Sequence, residues 1–450
     1  MSYLGHILPF LGIGVVVAAV YGLTIAPSLT WEHWGTDGGD LVTSAVTGRV
    51  SHPPGAPLYF YLSLAAVRIW PGDPARVLNG VSSVMALGAA IVTAAVLRRL
   101  QVSWWAAAGA ALSLAFSSWL WSQAVITEIY TTGALLTGLT LLLREIVPPE
   151  RPVAAFVLGA MVGLAASVHL TLLVLAVYVG IAAGEHWPVA LAGLLLGLVP
   201  SYALLPLFGP WPQPWGDLRT FAGWWTYVSG RFYWGNAFGL ALSYWLRRAL
   251  AWASLMSRQF TPVGLVLTVL GARALWRGER RRAAGLLVAI LGASLYAIGY
   301  DSADSWVYLV GLMPALALIL GLGLEEARRW GMPAGLSLLL PLALVVLNWG
   351  HMDVHNDYQA AHWLERTLEQ LPSDAAVVTQ QDRHTFALWY ARDALGRRQD
   401  LLIVDRQLWG YEPYNVFLFG ERARAVEQLD DVVSQRPWCE IGPDGEVSCL

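Results

Sequence analysis

Long apolar segments separated by short polar turns fill the first 349 residues of the chain. A helix perpendicular to a bilayer needs about 20 apolar residues, and several of the segments are shorter than that. The pair that flanks His169 predicts either two spans or one broken hairpin. We expect about eleven membrane-spanning helices, at residues 7–26, 77–97, 104–120, 131–146, 153–168, 170–183, 189–208, 261–276, 283–300, 306–324 and 333–349.

The pattern changes after about Gly350, where polar and charged residues become frequent. Residues 357–370 predict an amphipathic helix, and a second helix at 385–395 separates two short buried strands at 375–379 and 401–405. A strand–helix–strand order is typical of a small α/β unit. We therefore expect two domains, a polytopic domain at 1–349 with outer loops at 27–76 and 209–259, and an α/β domain at 350–450.

Composition agrees with a membrane location. The 450 residues are 56% hydrophobic and 13% charged, which is too apolar for an ordinary soluble protein. The formal net charge of -3, without a basic block, gives no indication of a nucleic-acid partner. Residues 7–26 lack a basic leader and a clear cleavage site, so we interpret them as a retained anchor rather than a signal peptide. The sequence predicts a multi-pass protein of the cell membrane.

Arginine placement predicts the orientation, because arginine-rich loops favour the cytoplasmic side. With eleven spans, the first outer loop and the C-terminal domain then lie outside the cytoplasm. There, Cys439 and Cys449 could form a disulfide, although two free thiols are the alternative. The arginines of the second outer loop conflict with this orientation unless its Trp and Tyr residues place it in the membrane interface. The arginines that define the cytoplasmic side are Arg98, Arg99, Arg144, Arg151, those within 277–282, Arg328 and Arg329.

Two carboxylates and a histidine occupy the first outer loop. Asp37 and Asp40 are three residues apart, so a helical turn would place both on one face. A carboxylate at a membrane face can act as a general base toward a hydroxyl or can hold a cation. His52 begins a Pro-Pro-Gly turn that would hold its ring in one place. Asp37 and Asp40 are the catalytic candidates and His52 is a substrate-binding candidate, with a solvated acidic loop as the alternative.

Other polar residues lie at the predicted outer membrane edge. Glu128, His169 and Asp304 follow or precede apolar spans, where a charged group is costly unless it is paired. We interpret all three as substrate-binding candidates. The alternatives are a helix-capping acid at Glu128 and a hydrogen-bonded interfacial histidine at His169.

Several kinds of site are missing from the sequence. It contains no P-loop or Rossmann glycine motif, no Cys/His cluster with zinc spacing and no Gly-x-Ser-x-Gly elbow. If a sugar is transferred, its donor is therefore better sought among lipid-linked sugars than among soluble nucleotide sugars.

An ordered set of motifs resembles the GT-C type of integral-membrane glycosyltransferases, in the branch related to protein O-mannosyltransferases. The first-loop Asp37-Gly-Gly-Asp40 is similar to that branch's Asp-Ser-Gly-Glu, and residues 51–57 are similar to its His-Pro-Pro-Gly-x-Pro. The other elements that resemble the branch in order are Arg76-x-x-Asn79, Glu128-x-Tyr130, the segment around His169, Asp304 with Tyr308, and 381–390 with 396–400 in the tail.

This resemblance implies a GT-C-like helical bundle and a sugar transferase that uses a polyprenyl-phosphate sugar outside the cytoplasm. Asp37 falls on the acidic position of the catalytic base, whereas Asp40 replaces a Glu. Gln381 stands where a Gly is usual, which puts a direct ligand role for Asp382 in doubt. Asn79 joins the substrate-binding candidates. The acceptor is a hydroxyl of a protein, a lipid or a glycan, the sugar is mannosyl if the branch is followed, and assistance by a divalent metal is left open.

A transferase of this kind would deprotonate the acceptor hydroxyl with a first-loop acid and invert the anomeric carbon. An arginine would neutralise the departing phosphate, since its guanidinium matches phosphate oxygens. The candidates are Arg49, Arg76 and Arg231, and the sequence does not choose among them. The alternative function is a transporter or lipid flippase that uses the membrane-edge carboxylates Glu128 and Asp304.

Overall fold

The computed structural model describes residues 3–148, 151–420 and 436–449, and side chains from Ile7 onward within those ranges. The described residues up to Met352 form a helical bundle. The helices are α1 (Tyr3–Thr24), α2 (Gly38–Thr47), α3 (Pro57–Ile69), α4 (Pro74–Arg99), α5 (Trp104–Ala115), α6 (Ser118–Ala124), α7 (Tyr130–Ile146), α8 (Pro152–Ala166), α9 (Leu175–Ala183), α10 (Trp187–Ala203), α11 (Phe221–Val228), α12 (Leu242–Gln259), α13 (Thr261–Gly278), α14 (Arg280–Gly299), α15 (Met313–Arg329) and α16 (Leu339–Met352).

Fewer helices than predicted have the full length of a membrane span. By length and composition, six apolar helical stretches of the described residues could cross a membrane, or seven if the bent pair α12–α13 is one span. Predicted spans are interrupted in places: residues 104–120 are divided at Phe116 into α5 and α6, and a short turn at Gly184–His186 interrupts Leu170–Leu207. The chain is a multi-pass membrane protein, and the figure of eleven crossings stays a prediction.

The first outer loop is helical rather than irregular. A 3-10 turn, Glu32–Asp37, leads directly into α2, and α3 follows the Pro-Pro-Gly turn. Residues Gly38–Ala45 of α2 are all buried. This loop is therefore part of the packed core and can hold side chains in fixed positions.

The C-terminal part contains a small mixed sheet, as the sequence predicts. Strands β1 (Ala376–Thr379) and β2 (Leu402–Asp405) pair in parallel, and each begins within one residue of its predicted start. Strand β3 (Trp438–Ile441) pairs parallel to β1 and antiparallel to β4 (Val447–Cys449), which gives the order β2-β1-β3-β4. The helices are α17 (Gln359–Gln370), α18 (Asp382–Trp389), extended by a π-helical turn at Tyr390–Ala394, and α19 (Glu412–Phe419).

A disulfide joins Cys439 and Cys449 across the β3–β4 pair. Of the two alternatives that the sequence left open, the bonded pair is the one found. Residues 421–435 and 450 of the predicted C-terminal domain lie outside the described residues.

The C-terminal part packs firmly on the first loop. One buried apolar cluster contains Val42 and Phe60 from the loop helices together with Val377 and Phe386 from the sheet and α18. Two polar links join the same parts: Arg49 forms an ion pair with Asp393, and the Tyr390 hydroxyl donates to Asp73. The first loop and α18 therefore form one packed unit.

Arginines gather at one end of the bundle. Arg98 and Arg99 end α4, Arg328 and Arg329 end α15, and 280–282 begin α14. The opposite ends of α4, α14 and α15 lead to Asp73, Tyr300 and the turn Ser305–Leu312 respectively, which lie at the end that carries the first loop. The charge of the bundle is thus asymmetric, with these arginines at the end away from the first loop.

Candidate active site

Asp37 and Asp40 are brought together by the helical turn at the start of α2. Asp37 occupies the N-cap position and Asp40 the first turn, where the partial positive charge of a helix N-terminus favours a carboxylate. Their exposures differ: the Asp40 side chain is 5% exposed and the Asp37 side chain is 35% exposed. Of the two catalytic candidates, Asp37 is the one whose carboxylate is accessible.

His52 lies between the two acids. Its backbone N–H donates to Asp40 Oδ2 at 2.7 Å, and its Nδ1 lies 2.9 Å from the same oxygen. Its Nε2 is 3.6 Å from Asp37 Oδ2. Asp40 is therefore occupied in holding His52, and His52 in turn presents its other nitrogen to Asp37.

The charges of this trio are coupled. Burial lowers the pKa of His52, but the charges of Asp37 and Asp40 outweigh it and raise that pKa to about 10. Burial raises the pKa of Asp37, the positive charge of His52 opposes that rise, and the charge of Asp40 adds to it. At neutral pH we therefore expect a protonated His52, and Asp37 is a stronger base than an ordinary aspartate.

The turn after His52 is fixed from the second outer loop. The Tyr227 hydroxyl donates to the Ser51 carbonyl at 2.7 Å, and the Gly55 N–H donates to the His52 carbonyl. Gly55 has a φ of +74°, and a Cβ there would lie 2.3 Å from the Tyr227 oxygen. Only glycine fits this approach, so α11 holds the turn and His52 with it.

A cavity of about 1020 Å³ opens beside Asp37 and brings together most of the predicted site. Asp37, His52, Glu128, His169 and Asp304 all line it. Two further carboxyl groups come from the C-terminal part, and no arginine lines the cavity among the described residues. The other lining side chains that matter below are Asp382, Asp405, Phe386, Trp34, Trp215, Tyr130, Tyr233, Tyr300 and Tyr308.

Glu128 and His169 are held on the bundle side of this cavity. Ser82 bonds both the N–H and the carbonyl of Glu128, which fixes the backbone there. Burial and the charge of Asp37 raise the pKa of Glu128 well above its usual value. His169 Nδ1 lies 2.7 Å from the Thr171 hydroxyl, and its ring centroid lies 4.9 Å from that of Tyr308.

Asp304 begins the turn Ser305–Leu312 and accepts a hydrogen bond from Ser302. The segment is fixed from the second outer loop, because the Arg248 guanidinium donates to the carbonyls of Tyr300 and Ser302 and to the Ser305 hydroxyl. Asp304 therefore faces the cavity from a well-braced turn.

The remaining predicted residues do not line this cavity. Asn79 is buried and donates to the carbonyls of Ala26 and Ser28, which is a bracing position. Arg76 is exposed at the first turn of α4, and Arg49 is held by Asp393. Arg231 lines a neighbouring groove, whose wall shares Phe232 with the cavity.

The lining of the cavity comes from two parts of the fold that differ in chemistry. Leu173, Val174 and Ala293, from apolar helical stretches, line one part. Asp382, Phe386 and Gln407, among others from the C-terminal part, line another. The carboxyl groups of Asp37 and Glu128 line the same cavity, which therefore has both apolar and acidic lining.

Sequence reasoning gave no individual site role to Tyr233, Tyr300, Trp215 or Asp405, and it doubted Asp382. The signal for Asp382 was the tail motif, but Asp382 lies more than 300 positions from Asp37, so no local pattern predicts that both line one cavity. Among the described residues, no group of three His, Cys, Asp or Glu side chains is arranged to hold a metal ion.

Comparisons with known proteins agree with this architecture. A family model described as the Protein O-mannosyl-transferase TMEM260 N-terminal domain matches residues 37–184. Protein O-mannosyl-transferase TMEM260 of Mus musculus is 25% identical over 448 residues, an alignment that covers 88% of this chain. The chain spans 62% of that relative's length.

Solved structures show the same fold at low sequence identity. ArnT from Cupriavidus metallidurans bound to undecaprenyl phosphate superimposes with a TM-score of 0.59 and 14% identity, over 98% of this chain and 94% of that one. The oligosaccharyltransferase of Archaeoglobus fulgidus tethered with an acceptor peptide gives 0.54 and 10%, over 90% of this chain and 64% of that one. The resemblance drawn from the motifs is thus confirmed.

Proposed function

We propose that this chain, which has the GT-C fold of integral-membrane glycosyltransferases, transfers a sugar from a polyprenyl-phosphate carrier to a protein hydroxyl outside the cytoplasm. The observation that carries the proposal is the position of Asp37, whose carboxylate is open to a cavity with both an apolar and a polar region. The similarity to a protein O-mannosyl-transferase favours mannose as the sugar.

The apolar region suits the lipid carrier. Leu173, Val174 and Ala293 would contact the isoprenoid chain, and the phosphate would lie where the apolar lining ends. ArnT was crystallised with undecaprenyl phosphate, which supports a carrier of this class for the same fold. Aromatic rings such as Tyr130 and Tyr308 would flank the sugar.

Asp37 would act as the general base. Its carboxylate takes the proton from the acceptor hydroxyl, and the hydroxyl oxygen attacks the anomeric carbon from the face opposite the phosphate. The bond from that carbon to the phosphate oxygen breaks, the phosphate leaves with the electron pair, and the configuration inverts. Asp37 then releases its proton to water, which restores the carboxylate.

Asp40 and His52 would act through Asp37. The imidazolium of His52 stabilises the carboxylate form of Asp37, and Asp40 keeps the imidazole ring in place and charged. Arg231 is the best placed of the three arginine candidates for the leaving phosphate. It lines the neighbouring groove, and the next residue, Phe232, lines both that groove and the cavity. Arg49 is occupied by Asp393.

The arginine distribution supports a cavity outside the cytoplasm. Arg98, Arg99, Arg328 and Arg329 lie at the end of the bundle away from the first loop. Positively charged helix ends favour the cytoplasmic side, so the first loop and its cavity would face the other compartment. The disulfide between Cys439 and Cys449 fits an oxidising compartment.

A transfer assay tests the proposal. Purified protein in nanodiscs is incubated with undecaprenyl-phosphate [³H]mannose and a threonine-containing peptide, and labelled peptide is counted. We expect transfer by the native chain with inversion at the anomeric carbon, read by NMR of the product. The Asp37→Asn variant should transfer about a thousandfold more slowly while it elutes as a folded monodisperse protein.

Two results would overturn the proposal. One is full activity of the Asp37→Asn variant, which would remove the base. The other is movement of the intact lipid-linked sugar across the bilayer without cleavage, which would favour the flippase alternative.

A further inference from the structure

The C-terminal wall of the cavity contributes a carboxyl group that the proposed chemistry does not use. Asp382 is the first residue of α18 and lines the cavity together with Phe386, one turn further along that helix. Asp382 is exposed where it lines the cavity. Its carboxylate makes no hydrogen bond or ion pair with any described residue. It is therefore available to a bound molecule.

Four of the other carboxyl groups of the cavity have partners, whereas the carboxylate of Asp301 makes no hydrogen bond or ion pair with any described residue. Asp405 accepts from the Thr385 hydroxyl and from two backbone N–H groups. Asp304 accepts from Ser302, and Glu128 accepts from the Ile129 N–H. Asp37 faces His52. Of the two carboxyl groups that the C-terminal part supplies to the cavity, Asp382 is thus the one without a partner among the described residues.

Asp382 lies close to the reaction centre because α18 packs directly on α2. A Cβ on Gly39 would lie 2.5 Å from the Phe386 carbonyl oxygen, so the two helices touch through backbone. The Phe386 ring stacks over His52, with centroids 6.3 Å apart and planes 14° from parallel. A molecule bound at Asp37 therefore occupies the same cavity that Asp382 lines.

Charge balance indicates what Asp382 would bind. Burial raises the pKa of Asp382, the charges of Asp405 and Asp37 add to it, His52 opposes them, and the result is about 6. At neutral pH the group is ionised but poorly compensated, since no described arginine lines the cavity and the chain has no lysine. A cation brought in by a ligand would supply the missing charge.

The lipid donor does not bring that cation, because its phosphate is anionic and its mannose is neutral. We propose that Asp382 selects the acceptor, favouring a peptide in which a lysine or arginine stands beside the hydroxyl residue. This inference rests on the proposed transfer to a protein hydroxyl and adds the acceptor's charge to it.

The experiment compares three peptides of equal length, each with one threonine flanked by lysine, alanine or glutamate. Transfer from undecaprenyl-phosphate [³H]mannose is measured as kcat/KM for each peptide. We expect the lysine peptide to exceed the glutamate peptide by about fivefold, the size expected of a partly exposed ion pair. Asp382→Asn should bring the ratio close to one, and Asp382→Arg should invert it.

A ratio between peptides is used because it does not depend on how much active enzyme each variant yields. Asp444→Asn is the matched control, since it removes the same charge from an exposed position of the same sheet region that lines neither cavity nor groove. That variant should keep the native ratio. Should both variants fold poorly, the native chain alone still decides, because the ratio must shrink as salt rises from about 0.05 M to 0.5 M.

The outcomes separate this inference from the proposed function. Transfer to all three peptides at equal rates, or a ratio that Asp382→Asn leaves unchanged, contradicts the role of Asp382 and leaves glycosyl transfer standing. A preference that EDTA abolishes would assign Asp382 to a metal ion and also contradicts the inference. Absence of transfer to every peptide refutes both.

Discussion

Carboxylates at the two ends of the helical bundle are held in different ways. At the arginine end, Glu145 lies 2.7 Å from Arg282, whose side chain is 1% exposed, and Glu325 lies 2.6 Å from Arg328. At the cavity end, Asp37 has no arginine partner among the described residues and lies 3.6 Å from His52. Glu145 and Glu325 are paired with arginine and serve structure, whereas Asp37, which has no such pair, stays available for chemistry.

The difference follows from what each end must do. A buried arginine needs its partner because an isolated buried charge is costly. A general base needs an open lone pair and a pKa raised above the ordinary value, which burial without an arginine supplies. The predictions below exchange or remove charges at each end, from the largest expected effect to the smallest.

Asp40→Asn should lower kcat by about tenfold, as much as the loss of His52 itself. The amide keeps the shape of the side chain but loses the negative charge that holds His52 in place and keeps it protonated. Asp37 keeps its carboxylate, so some transfer survives. Steady-state assays of the purified variant measure this, and a native rate would contradict the supporting role of Asp40.

His52→Gln should lower kcat by about tenfold at neutral pH and move the acid limb of the pH profile. The His52 charge lowers the pKa of Asp37, so its removal raises that pKa further. Since Asp37 works as a carboxylate, activity is lost as pH falls through its pKa, and the loss must begin at a higher pH in the variant. A profile that stays in place, or moves to lower pH, contradicts the coupling.

Gly39→Ala should lower transfer several-fold by separating the C-terminal wall from the first loop. The new Cβ would meet the Phe386 carbonyl at 2.5 Å, and backbone has no room to yield. Gly80→Ala is the control, because a Cβ at that helical position meets nothing within 4 Å. Equal rates for the two variants would show that the contact between α2 and α18 does not matter for activity.

Glu145→Gln tests the arginine end and should leave kcat per folded molecule unchanged. It removes the carboxylate beside the buried Arg282, so the melting temperature in detergent should fall by roughly 5 °C. Thermal unfolding and transfer assays on the same sample separate the two effects. A loss of activity without a loss of stability would contradict the purely structural role assigned to Glu145.

Local spacing was enough to predict the first-loop half of the site. Asp37 and Asp40 are one helical turn apart, and His52 follows after a short turn, so their meeting depends on few backbone angles. The two short strands at the start of the sheet were predicted for a similar reason, as brief buried runs bounded by polar residues. The turn at Gly55 also contacts Tyr227 of the second outer loop, and local spacing does not predict that contact.

Long-range packing explains what the sequence did not reveal. Asp382 reaches the cavity because α18 contacts Gly39, a juxtaposition that no local pattern encodes. Motif order places Asn79 and Arg49 near the site in the chain but does not give the direction of their side chains, and neither lines the cavity. Their substrate-binding roles, like that of Arg76, stay predictions.

The most direct test compares single-turnover rates of the Asp37→Asn and Asp40→Asn variants, each preloaded with undecaprenyl-phosphate [³H]mannose and mixed with excess peptide. Because Asp37 is open to the cavity and Asp40 is enclosed beside His52, we predict that Asp37→Asn is slower by at least about tenfold. Equal rates, or a slower Asp40→Asn variant, would contradict the assignment of Asp37 as the base.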